Sequence, residues 1–101
     1  MIRLIVRPAA ELDIREAVDW YEGERPELGA RFLDELQSTL NRLRMMPVQF
    51  PSVGKGVRRA LLRRFPYAIY FLMPDEARAV VIAVLHQRRA PRVWRGRARA
   101  E

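Results

Sequence analysis

The chain has 101 residues, half of them apolar, which is enough for one hydrophobic core and too little for two, so residues 1–101 are expected to form a single domain. With no cysteine and one histidine it has no disulfide framework, no thiolate zinc site and no histidine-rich metal cluster. The formal charge of +7 is uneven: residues 1–51 hold 7 basic and 9 acidic side chains and residues 52–101 hold 12 and 3, so the second half points toward nucleic acid or an acidic protein partner.

The N-terminus alternates Ile2, Leu4 and Val6 with Arg3, Ile5 and Arg7, the period of a short strand with one mixed face. Pro8 ends it; its ring presets φ and carries no amide hydrogen, which suits the first turn of a helix. From Ala9 to about Glu24, the residues Ala10, Ile14, Ala17, Val18 and Tyr21 recur at helical spacing while Glu11, Arg15, Asp19 and Glu22 fall elsewhere, so one face is buried. Glu11 and Asp13 in the first turn suit the positive end of the helix dipole. Gly23, Pro26 and Gly29 mark a break. A second helix follows from Pro26 or Leu28 to Met45, with Phe32, Leu33, Leu36, Leu40 and Leu43 as its apolar stripe and Pro47 and Pro51 beyond its end. Together the two make a helical hairpin whose apolar faces need a third surface.

Residues 47–56, PVQFPSVGKG, read as a loop. Lys55, the only lysine, lies between Gly54 and Gly56, where a backbone can approach a phosphate closely; an incidental charge on a turn is the alternative. Residues 58–65, 67–73 and 77–86 then read as three strands rich in β-branched and aromatic residues, interrupted at Pro66 and at Pro74-Asp75. Strict alternation gives the first strand arginine on both faces, Arg59 and Arg63 against Arg58 and Arg64. It sets Tyr67, Ile69, Phe71 and Met73 opposite Ala68, Tyr70 and Leu72, and Val80, Ile82, Val84 and His86 opposite Val81, Ala83 and Leu85. The last two strands are apolar on both sides and belong at the centre of the sheet, with the helices on one face and a shallower apolar surface on the other. Beyond them come His86, Arg88, Arg89, Arg92, Arg95, Arg97 and Arg99, expected to gather on one side of the sheet for an anionic partner. No run approaches membrane-spanning length and the first residues lack a signal-peptide core, so a cytoplasmic location with no membrane contact is expected.

The order β-α-α-β-β-β, with WYE at 20–22, PELGARF at 26–32, RRALLRRFPYAIYF at 58–71 and VLHQRRAPRVW at 84–94, resembles the RelE/ParE superfamily of toxins from bacterial type II toxin–antitoxin modules. The resemblance implies an α+β fold: an N-terminal strand, a two-helix hairpin packed on a mostly antiparallel sheet, and a short C-terminal helix. It also implies a toxin held inactive in a hetero-oligomer with a cognate antitoxin protein. In the ParE branch the target is DNA gyrase; in the RelE branch it is messenger RNA on the ribosome. RNA cleavage through the 2′-OH needs a base, an acid and cations for the phosphorane. RelE-type nucleases draw on arginines and lysines near the sheet and on a tyrosine close to the C-terminus. No tyrosine follows Tyr70 here, and Trp94 stands near the place where one is expected, with an indole that does no acid–base chemistry. A RelE-like reading therefore makes His86 and Arg88 the catalytic candidates, with a strand-capping histidine as the alternative. The VLHQRR segment looks more like the ParE branch, which favours a gyrase-binding toxin. Lys55, Arg58, Arg63, Arg88, Arg89, Arg92 and Trp94 are the candidate contacts to target or antitoxin, and neither a metal nor a cofactor is expected.

Overall fold

The computed structural model describes residues 1–99. In chain order it contains β1 (Arg3–Val6), α1 (Pro8–Glu24), α2 (Leu28–Met45), a single 3-10 turn (Pro47–Gln49), β2 (Ser52–Gly54), β3 (Val57–Leu61), β4 (Tyr67–Asp75), β5 (Arg78–His86) and α3 (Ala90–Arg99). The five strands form one sheet in the order β1-β5-β4-β3-β2, with β1 parallel to β5 and every other pair antiparallel. The expected α+β layout, helical hairpin and C-terminal helix are all present.

The hairpin is built by the residues of the WYE and PELGARF segments. Glu22, near the end of α1, accepts the Glu27 N–H at Oε2 and the Gly29 N–H at Oε1, both at 3.0 Å. One carboxylate thus satisfies two amides that the start of α2 leaves without helical partners. At Gly29 a Cβ would lie 2.9 Å from the Val18 carbonyl oxygen, so the helices cross where the chain has no side chain. Beyond the crossing, Phe32, Leu36, Leu40 and Leu43 are buried. Leu33, expected in the same stripe, is 43% exposed, and Thr39 takes a fully buried place instead. The threonine is tolerated there because its hydroxyl donates to the Glu35 carbonyl at 3.0 Å.

Both faces of the sheet are covered. On the hairpin side Ala60, Ile69, Phe71, Val81 and Val84 pack with the buried residues of α1 and α2; on the other, Val57, Ala68, Tyr70, Val80, Ile82, Ala83 and Leu85 pack with Ala90 and Trp94 of α3. Removing a side chain the size of Phe32 or Phe71 from water stabilises the fold by about 2 kcal/mol. The surface left shallow in the sequence reading is therefore a second core roofed by α3.

Four local expectations change. Residues 47–56 are not all loop: β2 forms the sheet edge and turns tightly into β3 through Gly54 (φ 117), Lys55 (φ 55) and Gly56 (φ 75), with glycine at two of the three left-handed positions. β3 stops at Leu61, and the Leu62 N–H closes the turn onto the Tyr67 carbonyl at 3.0 Å, so Arg63 and Arg64 lie outside the strand. Pro74 and Asp75 lie within β4 at a register irregularity, where a missing amide hydrogen breaks no regular rung. Finally, Tyr70 faces Ala83 while Phe71 faces Val81, which leaves Ile82 as a bulge. Ile82 and Ala83 both face α3, and the alternation inverts beyond them.

Candidate functional site

That inversion aims the end of β5. Strict alternation keeps His86 on the face of Ile82; the bulge turns Val84 and His86 toward the helical hairpin instead, where His86 meets the Tyr67 ring edge-on at 5.6 Å. β1 accompanies β5 only as far as Val81, so residues 82–86 have no strand on their outer side. Two side chains serve that edge. Asp13 accepts the Val84 N–H at 3.0 Å, and Arg97 donates to the Ile82 carbonyl at 2.9 Å. The same two groups form a bidentate ion pair, Arg97 Nη1 to Asp13 Oδ2 and Nη2 to Oδ1, the second at 3.0 Å. Asp13, expected to serve the helix dipole, thus turns inward and ties α1, β5 and α3 together.

Beside this clamp is a cavity of about 480 Å³, the size of a small-ligand pocket. Asp13, Glu16, Ala17, Trp20 and Tyr21 form its α1 wall. Tyr67, Leu85, His86 and Arg89 close the other side. Trp20 is 58% exposed and stands edge-on to Tyr21 at 5.0 Å. Burial pushes the Tyr67 hydroxyl above its usual pKa; Arg89 pulls it back, while Asp13 and Glu16 add to the rise, so at neutral pH the phenol keeps its proton and can donate. His86 Nδ1 accepts the Arg88 N–H at 3.1 Å. A neutral imidazole that accepts at Nδ1 carries its proton on Nε2, so the second nitrogen is a donor as well.

Of the residues singled out from sequence, His86, Arg88 and Arg89 come together, and Arg63 lies exposed in the turn at the same end of the sheet. Lys55 does not join them. Its turn abuts Val57, which pairs with Leu72, whereas His86 pairs with Tyr67, five residues away along β4, or roughly 16 Å at strand spacing. Arg58 is half-buried, with Nη1 donating to the Phe50 carbonyl at 2.7 Å. Arg92 is exposed on α3. Trp94 is a correction: it is 3% exposed, stacked on Tyr70 at 5.9 Å, and has no open ring face to offer a partner. The expected one-sided cationic cluster is also divided. Arg97 is held by Asp13 and Arg78 by Asp75, Arg59 lies on the α3 face, and the exposed arginines of the C-terminal segment are Arg88, Arg89, Arg92, Arg95 and Arg99. Asp13, Glu16 and Trp20 went unnoticed as site residues. Trp20, a large aromatic outside the apolar stripe of its own helix, was the available signal.

The sequence matches the family described as "ParE toxin of type II toxin-antitoxin system, parDE" over residues 4–91. The chain belongs to the ParE toxin family. Its fold is similar to that of a solved chain titled "Chromosomal ParDE TA system from P. aeruginosa", with a TM-score of 0.74 and 21% sequence identity, covering 85% of this chain and 96% of that one. A search of curated protein sequences found no significant match. For this ParE-family chain, the segments that carried the resemblance have structural roles: Glu22 and Gly29 close the hairpin, and Tyr21 and Phe32 stack at 5.4 Å within it. Among the described residues no helix is long and apolar enough to cross a membrane, and no cluster of three His, Asp or Glu side chains is placed to hold a metal.

Proposed function

We propose that this ParE-family toxin stops growth in the cytoplasm by binding DNA gyrase, that none of its own side chains makes or breaks a bond, and that a cognate antitoxin neutralises it. What supports the reading is the state of His86. The His86 Nδ1 lone pair that would take a 2′-OH proton already accepts the Arg88 N–H. Of the other cations, Lys55 is at the far end of the sheet from His86 and Arg88, and Arg97 is paired with Asp13. Binding by surface complementarity demands none of them.

The test is expression without antitoxin, followed on two readouts. Accumulation of cleaved chromosomal DNA trapped on gyrase, with messages intact, is the expected result. Primer extension that maps new ends within codons, with supercoiling normal, would replace this reading by the ribosome-dependent nuclease.

A further inference from the structure

We infer that the outward face of α3 binds the phosphate backbone of duplex DNA, without regard to base sequence. This rests on the gyrase reading above for its purpose, holding the DNA on which gyrase acts, and names the surface that would do so. Helical geometry separates two faces of α3. Ala90 and Trp94 are buried against the sheet with Val93, Arg97 and Ala98 half-buried beside them, and Arg97 is taken up by Asp13 and the Ile82 carbonyl. On the opposite side Arg92, Arg95, Gly96 and Arg99 are all exposed. At about 3.6 residues per turn these four fall within an arc of about 100°, and Arg92 and Arg99 stand about 10 Å apart along the axis. Arg88 and Arg89, exposed in the turn that leads into the helix, extend the same charge.

Nothing within the fold accounts for this face. The sequence has no acidic residue between Glu76 and Glu101, and among the described residues Arg92, Arg95 and Arg99 enter no ion pair. The Arg95 guanidinium lies 5.4 Å from the Trp94 ring centroid, a contact that orders the side chain and uses none of its N–H donors. Like charges three and four residues apart repel, and the first turn holds no acid to meet the positive end of the dipole, so the charge pattern works against the helix. Gly96 does the same. Glycine is worse than alanine inside a helix, yet a Cβ here would meet no atom within 4 Å. A glycine that weakens the helix and makes room for nothing in its own chain fits a partner that comes against the bare backbone between the arginines. The arc carries no apolar side chain, whereas protein interfaces have an apolar centre. Surfaces that bind DNA are polar and strongly cationic, and their arginines meet closely spaced phosphates.

The experiment measures binding of the intact protein to a short fluorescein-labelled DNA duplex by anisotropy, between about 50 and 200 mM salt. Log affinity is expected to fall against log salt with a slope of about −3, as for three neutralised phosphates. Combining Arg92→Gln, Arg95→Gln and Arg99→Gln should cost at least about tenfold at the lower salt and flatten the slope. A control that removes the same charge from exposed positions of the helical hairpin, Arg15→Gln, Arg25→Gln and Arg31→Gln, should leave the slope in place. Gly96→Leu, with circular dichroism showing the fold kept, should weaken binding several-fold. Equal losses from the two triple variants, full affinity in Gly96→Leu, or a flat salt dependence would overturn the inference. So would polyglutamate that competes as well as unlabelled duplex, which would give the face to an acidic protein. Gyrase is absent from this measurement, so loss of the DNA contact leaves gyrase binding standing, and a toxin that held DNA yet spared gyrase would sink only the earlier reading.

Discussion

At the scale of single residues, two positions in the α1–α2 turn carry more of the fold than their size suggests. Gly29→Ala places a methyl carbon 2.9 Å from a backbone oxygen of the neighbouring helix, and a backbone oxygen cannot swing aside as a side-chain tip can. The helices must separate, and thermal unfolding should show a loss of about 2 kcal/mol, in the range of core overpacking. A variant as stable as the parent would mean that the hairpin closes some other way. Both Glu22 and Gly29 stood in the segments that suggested the family, yet their work was not readable there. Periodicity reports which side of a helix is apolar; it does not report that a carboxylate reaches across a turn to two amides, or that two backbones touch.

Among the elements, the long ones were legible and the short or irregular ones were not. α1 and α2 repeat their apolar positions over four or more turns, enough to place them within a residue or two of their ends. β2 has three residues and one half-buried side chain, too few for any period, and its Pro/Gly surroundings read as loop. One bulged residue in β5 then displaced every later side chain to the opposite face, which is how His86 came to the hairpin side. α3 is held by Trp94 on Tyr70 and by Arg97 on Asp13, whose side chain is 8% exposed. Asp13→Ala leaves the Val84 amide without its acceptor and the Arg97 guanidinium with the Ile82 carbonyl alone. Since Arg97 remains about a quarter exposed and can rehydrate, the expected loss is about 2 kcal/mol rather than the full cost of an orphaned buried charge. Hydrogen exchange should locate the change in α3 and the last residues of β5; unchanged protection there would show that the clamp does not hold the helix.

For the molecule as a whole, both cores depend on tyrosines that stay neutral. Tyr21, Tyr67 and Tyr70 are the three in the chain, and each has its pKa raised, first of all by burial. Their folded values lie above the ordinary 10.0, so their contribution to stability is intact below about pH 10 and is lost as the pH climbs through the raised values. Tyrosinate absorbance is expected to appear together with the loss of helical circular dichroism; phenols that ionise near pH 10 in an intact fold would contradict this.

Charge acts at the same scale. A net +7 speeds encounter with an anionic partner and makes it salt-sensitive, but the division of the arginines between internal pairs and an exposed C-terminal set leaves the shape of the surface to decide what is bound. A supercoiling reaction with purified gyrase tests binding without chemistry most directly. Added without antitoxin, the protein should inhibit supercoiling and leave gyrase-linked cleaved DNA in proportion to toxin added. Full gyrase activity at saturating toxin, alongside messages cut in a translating extract, would contradict it.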